Sequence, residues 1–560
     1  MDRLKPWLRS FYNRKTLRED AVAGLVLGVE SVPDGLAGGL LAGVNPVFGL
    51  YGYMVGTVTG ALFTSATFMA VQATGAMAIV VADVPSVHSG EDPERALFTL
   101  AVLTGAVMLV AGLFKLGSLL RWVSNSVMVG FINAVGVNIV LGQLDNFSGY
   151  EAEGANRVVR AFNLLFNLGE AHWPSMVIGT VTIILIIVLE KTRLGPLGMV
   201  VAIIVTSIVV PIVGWDVQQL RAVAEIPGSL PFPVWPDLRL IPTLLLPAAS
   251  LAFIGLVQGA GISASFPKPD GEYPDVSQDF VGQGAANIAA GIFQGMPVGG
   301  SMSASSLVKT AGARSKAALL IAGVVMAISI LVLGDLVGYI AMPALAGLLM
   351  IVGYRTVKPG DIKAVWRTGT TGAVVMAVTF VLTMIIPLQN AVLVGIGISL
   401  ILFVIKQSNR VTVRKWIVRD DGRLREVEAP TEVGPNEAIV LQPYGSLFFA
   451  SASLFEEELP NVVSTSTNSV VIIRLRGKSD LGSTFMDVLA RYASSLIEVN
   501  SRLVLVYADA RVNDQLRASG VAELLGSEGM YTSDEWVGST VKQAHEDATV
   551  WINEHLAEES

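Results

Sequence analysis

Two short stretches of small residues interrupt an otherwise apolar pattern, and one apolar segment carries two acids. The first break is Thr74-Gly75-Ala76-Met77-Ala78. The second is Gly299-Gly300-Ser301-Met302-Ser303, inside a Gly-, Pro- and Ser-rich run from Asp279 to Ala317. The segments at these breaks, Ala73–Val84 and Met302–Lys309, are too short to cross a bilayer, which takes about 20 mostly apolar residues. Non-helical backbone at membrane depth survives only where protein buries it or where it lines a cavity. A helix that begins there presents unpaired amides and roughly half an elementary positive charge. Two such ends aimed at each other would hold an anion, with Gly75, Ala76, Gly299 and Gly300 letting it approach the backbone. The hydroxyls of Thr74, Ser301, Ser303 and Ser305 would add hydrogen bonds. The competing reading is that these small residues merely let helices pack closely.

The two acids are Glu30 and Asp34, four residues apart and therefore on one helix face. Pro33 precedes Asp34 and frees a backbone carbonyl, which kinks or unwinds the helix. Ionisable groups inside a membrane are costly and point to function. The pair reads as a coupling-ion site for H+ or Na+; the alternative is that backbone or the two acids themselves satisfy them.

These residues need a membrane scaffold, and the composition supplies one. The chain has 560 residues, 52% of them hydrophobic and 15% charged, which excludes an ordinary soluble protein. Cysteine is absent, so there is no disulfide framework, zinc site or thiol nucleophile. No nucleophile–base pair, metal cluster or nucleotide loop stands out, so neither an enzyme nor a cofactor is expected. Residues 1–415 carry a balance of +4 and residues 416–560 one of −12, which marks the tail as a separate acidic soluble domain and argues against nucleic acid. The basic start, MDRLKPWLRSFYNRKTLRED, lacks the features of a cleaved signal and reads as a retained cytoplasmic segment.

Hydropathy and breakers predict fourteen segments, two of them short: Ala21–Ala42, Val47–Phe63, Ala73–Val84, Ala96–Leu116, Val123–Leu144, Met176–Glu190, Leu197–Gly214, Ile241–Gly261, Phe280–Gln294, Met302–Lys309, Ala317–Gly334, Val337–Val352, Gly372–Pro387 and Ala391–Ile405. With the N-terminus inside, inner segments hold 22 Lys and Arg and outer ones five, as the positive-inside rule requires. Each short segment is third in a set of seven, so a seven-plus-seven inverted repeat is expected, with the site at the matching breaks. Between 149 and 170, NRVVRAFNLLFNL has apolar residues at helical spacing and predicts an amphipathic helix, lying on the membrane or packed on the protein.

Three stretches resemble the SulP-type anion permeases, the sulfate and bicarbonate transporter family: DAVAGLVLGVESVPDGLAGGLLAGVNPVFGLYG near the start, RWVSNSVMVGFINAVGVNIVLGQL at 121–144, and GQGAANIAAGIFQGMPVGGSMS at 282–303 followed by AGARSKA. In the tail, LFFASASLFEEELP, VVIIRLRG and LRASGVAELLGSEGMYTSDEWVGSTVKQA resemble the STAS domain that follows such permeases. Alternating strands at Ile439–Tyr444, Val470–Leu475 and Leu503–Tyr507 independently predict an α/β domain there. The resemblance implies a polytopic α-helical membrane protein of the cytoplasmic membrane, working by alternating access, dimeric, with N-terminus and STAS domain cytoplasmic. The expected divisions are an N-terminal segment at 1–18, the anion-transport domain at 19–410, a linker at 411–435 and the STAS domain at 436–560.

The same resemblance implies a substrate site of Asp34, Thr74, Gly75, Ala76, Gln258, Gly300, Ser301, Met302 and Ser303. Three positions depart from the family. Asp34 stands where a Gln is usual, Ala304 where many relatives carry an Arg, and Gln258 where relatives often carry a carboxylate that in some binds sodium. The tail loop YADARVN at 507–513 lacks the phosphorylation loop of bacterial anti-sigma antagonists, which leaves partner binding as the expected role of the tail. The expected cargo is a small inorganic anion, sulfate first and bicarbonate next, with H+ or Na+. Dicarboxylate or nucleobase transport, or a non-transporting sensor signalling through the STAS domain, are the alternatives.

Overall fold

The computed structural model describes residues 16–559 except 117–123, 224–227, 388–389, 392–393, 396, 399–400, 403, 406–410, 420–422, 446, 448, 476, 479–480, 508 and 534–537. The chain divides near residue 400 into two units. The first unit is helical. Among the described residues, seven helices are long and apolar enough to cross a membrane, including α1 (Leu17–Leu41), α2 (Pro46–Phe63), α4 (Pro93–Leu113) and α7 (Trp173–Glu190). Thirteen of the fourteen expected segments coincide with helices, including α5 (Asn125–Gly142), α8 (Leu197–Val213), α9 (Ile241–Ser265), α10 (Val276–Ile292), α12 (Ala317–Val337), α13 (Met342–Thr356) and α14 (Thr370–Ile385). The last, Ala391–Ile405, falls on a stretch described only in part, and residues 1–15 of the expected N-terminal segment lie outside the described residues.

Local chemistry sets the helix ends. Asn45 accepts from the Val47 amide ahead of Pro46, and Asp92 from that of Arg95 ahead of Pro93, so each proline occupies a first-turn position where its missing N–H costs nothing. The loop helix α6 (Arg157–Phe166) has its cap at Asn156 and leaves Val159, Phe162, Leu165 and Phe166 exposed. That face is not packed on the protein, which is the arrangement of a helix seated in an interface.

Both short segments are built alike. An extended strand runs into a short helix: β1 (Ala70–Gln72) into α3 (Gly75–Ala82), and β2 (Gly299–Ser301) into α11 (Met302–Thr310). The two strands pair antiparallel, Ala70 opposite Ser301 and Gln72 opposite Gly299. The structure corrects the matching of the breaks. The helix caps are Thr74 and Ser301, so Thr74 corresponds to Ser301, two residues away from the Gly299 that the five-residue similarity aligns with it. Glycine content misled that alignment, whereas the cap is what starts each helix.

The second unit is a six-stranded sheet in the order β4-β3-β5-β6-β7-β8, where β3 is Thr412–Val418, β4 Leu424–Glu428, β5 Ala438–Tyr444, β6 Val470–Arg474, β7 Arg502–Tyr507 and β8 Met530–Thr532. The β5–β8 pairs are parallel and β3 and β4 antiparallel. Alternate residues serve opposite faces: Val470 and Ile472 pack towards the C-terminal helix Ser539–Glu559, and Val471 and Ile473 towards the helices on the other side. The expected linker at 411–435 therefore carries two strands of this sheet. Its charged, half-exposed residues (TVRKWIV, LREVE) hid the strand period at this end of the sheet.

Candidate functional site

The extended backbone ahead of α11 is held by side chains of α10. The Gly300 amide donates to Gln283 Oε1 at 2.9 Å, and Asn287 clamps Val298 from both sides, accepting from its amide at 2.8 Å and donating to its carbonyl at 2.6 Å. This is the local role of the GQGAAN stretch: two buried amides replace the hydrogen bonds that a continuous helix would have made. Asp279 fixes the turn before β1 by accepting from the Ser65 and Ala66 amides at 2.6 and 3.0 Å. Asp20 pins the loop after α11 through the Arg314 and Ser315 amides at 2.7 and 2.9 Å.

Thr74 Oγ1 and Ser301 Oγ cap the two short helices by accepting from the third amides, those of Met77 and Ala304, at 3.4 Å each. The caps leave the amides of Gly75 and Ala76 on one helix, and of Met302 and Ser303 on the other, to face what lies in front. What lies in front is a cavity of about 640 Å³. It is lined by all four of those residues and by Thr74, Gly300 and Ser301. Glu30, Asp34 and Gln258 line it too, so of the candidate residues only Gly299 and Ser305 stay off this cavity. Phe131, Ile139, Phe253 and Val352 add apolar walls, and Arg355 and Lys358 stand exposed at its rim. Arg355 is engaged by Glu190 through both of its terminal nitrogens.

Four hydrogen bonds organise the polar residues at this side of the cavity and just behind it. Thr74 Oγ1 donates to Gln258 Oε1 at 2.9 Å, which turns the Gln258 amide nitrogen away from Thr74 and leaves it as a donor. Tyr53 Oη lies 2.8 Å from Asp34 Oδ2 and 2.9 Å from the Ala73 carbonyl, tying α1 to the strand end ahead of α3. Gln72 Nε2 donates to Ser31 Oγ at 2.9 Å. Ser305 lies outside the cavity, where its hydroxyl accepts from the Ala70 amide at 3.0 Å and joins α11 to β1.

The glycines also have a packing role. A Cβ on Gly300 would meet Gly259 Cα at 2.9 Å, and one on Gly299 would meet Gly255 Cα at 2.9 Å. Both therefore let β2 press onto α9, which is the close-packing role. Gly75 is similar: its Cβ would meet Ile139 Cδ1 at 2.6 Å. Ala304 is buried and does not reach the cavity.

Tyr53, Thr57 and Gln72 went unnoticed in the sequence. Tyr53 meets Asp34 across 19 residues and Gln72 meets Ser31 across 41, and no local pattern signals such contacts.

A second, more polar cavity of about 420 Å³ lies beyond the C-terminal ends of α1 and α3. Leu41 lines both cavities and so stands between them. Beside it Arg157 of α6 bonds Asp83, the residue that ends α3, at 2.9 Å.

Comparison with known proteins agrees with this architecture. A profile of the sulfate permease family matches residues 17–379, and one of the STAS domain matches residues 428–544. The putative sulfate transporter YbaR of Bacillus subtilis is 27% identical over 495 residues, spanning 86% of this chain and 93% of the relative. The bicarbonate transporter BicA of Picosynechococcus is 25% identical, over 79% and 81% of the two chains. In fold, the inward-facing structure of the murine anion transporter Slc26a9 superposes with a TM-score of 0.85 at 20% identity, covering 97% of this chain and 93% of that one. The chain thus belongs to the sulfate permease family, as a polytopic helical membrane protein with a STAS domain in its tail.

Proposed function

We propose that this protein is a secondary active transporter that moves a small inorganic oxyanion, sulfate first and bicarbonate next, across the cytoplasmic membrane together with a cation. The observation that carries the reading is the meeting of two helix N-termini at one cavity, with free amides on both sides of it. Tetrahedral or planar oxyanions suit such a site, because several oxygens can accept amide bonds at once. In this reading Thr74, Gly75, Ala76, Gln258, Gly300, Ser301, Met302 and Ser303 bind the anion, and Glu30 and Asp34 handle the coupling ion, H+ or Na+. The carboxylates supply the reason for coupling: an anion beside them needs positive charge to enter with it.

Alternating access follows if Leu41 and its neighbours separate in one state and close in the other, with the present cavity open towards the Arg355 rim, on the cytoplasmic side. A dimer, two inverted seven-segment repeats and a cytoplasmic STAS domain complete the reading.

The test is uptake of labelled sulfate and of labelled bicarbonate by purified protein in liposomes under imposed H+ or Na+ gradients. Accumulation of either that collapses with the gradient is the expected result. No flux of any anion under any gradient would refute it and favour the second reading, a membrane sensor, whose support is the uncharged Ala304 where many relatives carry an Arg.

A further inference from the structure

Behind the cavity wall three oxygens are buried without a hydrogen-bond partner among the described residues: Glu30 Oε2, Thr57 Oγ1 and Gln72 Oε1. Thr57 and Gln72 are fully buried, and Glu30 is 9% exposed. An orphaned buried polar atom costs roughly 1–3 kcal/mol, so three in one region call for a ligand.

The fold gathers them. α1 and α2 form an antiparallel pair, in which Gly39 packs on Pro46 and Gly35 on Leu50. Further along, Tyr53 of α2 bonds Asp34 of α1. One turn on from each in the opposite sense, Thr57 and Glu30 face across the same interface. β1 packs on this face of α2: a Cβ on Gly56 would meet the Val71 carbonyl at 2.7 Å. Next to Val71, Gln72 reaches α1 through Ser31, the neighbour of Glu30, and its carbonyl oxygen is left without a partner.

Thr57 carries a further sign. Elsewhere in the membrane part the buried helical threonines Thr99, Thr104, Thr182, Thr206, Thr379 and Thr383 each donate to the carbonyl four residues back. The Thr57 hydroxyl makes no such bond and is available to another partner.

The ligand chemistry follows from the donor set. A carboxylate, a hydroxyl and an amide carbonyl are hard oxygen donors carrying one negative charge, which fits a monovalent alkali cation and falls short of what a divalent ion asks. No group of three or more His, Cys, Asp or Glu able to hold a metal ion is found among the described residues. A proton on Glu30 would serve one acceptor only, whereas a cation would be ligated by all three oxygens. Resting on the cation-coupled reading above, we propose that Glu30, Thr57 and Gln72 form a sodium site between α1, α2 and β1, at the back of the anion cavity.

Two readouts on the purified full-length protein test this. The first is equilibrium binding of radioactive sodium, together with thermal stabilisation by sodium over potassium; the second is sodium-driven uptake of labelled sulfate in liposomes. Thr57→Val, which keeps the shape and removes the oxygen, should weaken sodium binding by roughly tenfold or more and erase the sodium-specific stabilisation. Thr57→Ser should restore both, and Gln72→Leu should behave like Thr57→Val. Sodium binding to the wild type that persists unchanged in Thr57→Val and Gln72→Leu would overturn the site, as would a wild type that neither binds sodium nor is stabilised by it. Uptake driven by protons alone, with no sodium binding, would overturn the site and leave the transport reading standing. Sodium binding lost in the variants, with no anion flux in the wild type, would support the site and sink the transport reading.

Discussion

Replacing Gly300 by alanine isolates the contact on which the proposed anion site depends. The new methyl would lie 2.9 Å from Gly259 Cα and 3.2 Å from its amide nitrogen, both backbone atoms of α9 that cannot turn aside. Ordinary contact begins near 3.4 Å, so β2 must retreat by about half an ångström. Overpacking of this kind costs roughly 1–3 kcal/mol of stability. Gly300 immediately precedes Ser301, the cap of α11, so the retreat carries the Met302 and Ser303 amides with it. Losing one charge-assisted hydrogen bond to the anion, roughly 1.5–3 kcal/mol, would weaken binding by roughly ten- to 150-fold.

Gly255→Ala is the matched control on the other side of the interface. Its methyl presses mainly on Met108 Cε, at 2.4 Å, the end of a flexible side chain, and stands 3.6 Å from Gly299 Cα. It should leave affinity within a few-fold of wild type. The assay is labelled sulfate binding to purified protein, with thermal stability measured alongside. Loss of stability in Gly300→Ala with wild-type affinity would refute the claim that the α11 amides hold the anion. No change in either quantity would refute the packing argument itself.

Four further outcomes are expected. Asp34→Asn should abolish gradient-driven sulfate accumulation while the protein stays folded; unaltered pH and sodium dependence of uptake would remove Asp34 from coupling. Ser301→Trp should fill the cavity in front of α11 and abolish sulfate binding, as read by equilibrium binding, and normal binding would move the site elsewhere. Because the chain has no cysteine, Val352→Cys introduces a lone thiol into the cavity wall, and sulfate should slow its alkylation. In the tail, burial holds the His545 imidazole below its ordinary value near 6.5. As pH falls through that region the unfolded chain binds a proton that the folded helix resists, so stability of the Ser539–Glu559 helix should fall, and His545→Gln should flatten the change seen by hydrogen exchange.

Length and apolarity made the helical segments legible, because a membrane span leaves a signature some 20 residues long that short-range noise cannot erase. The breaks were legible for the same reason, as interruptions of that signature. Their register was not: Thr74 and Ser301 are equivalent because each caps a helix, a property of backbone geometry that similarity of Gly and Ala content does not report. The purpose of Gly299 and Gly300 was hidden as well, since it depends on Gly255 and Gly259 of a helix some 40 residues earlier. The strands at 412–418 and 424–428 were missed because half-exposed strands rich in Arg, Lys and Glu, the second of them at the sheet edge, look like a solvated connection.

Electrostatics then links the two halves of the site. Two helix ends contribute roughly one positive charge between them, at about half a charge each. Glu30 and Asp34, when ionised, contribute two negative charges to the same cavity, and buried Ala304 adds nothing. The cationic side chains on the cavity wall, Arg355 and Lys358, are exposed at the rim; Arg355 is already engaged by Glu190, and water screens Lys358. The cavity with both acids ionised is therefore net negative before any cargo arrives. At an effective dielectric constant of about 20, a second unit charge of the same sign about 5 Å away costs roughly 3 kcal/mol, enough to cancel the gain from one charge-assisted hydrogen bond. An anion can reside there only when a proton or an alkali cation has neutralised at least one acid. On the proposed reading, coupling follows from the two carboxylates at Glu30 and Asp34 together with the uncharged Ala304, where a fixed arginine would have let the anion bind alone.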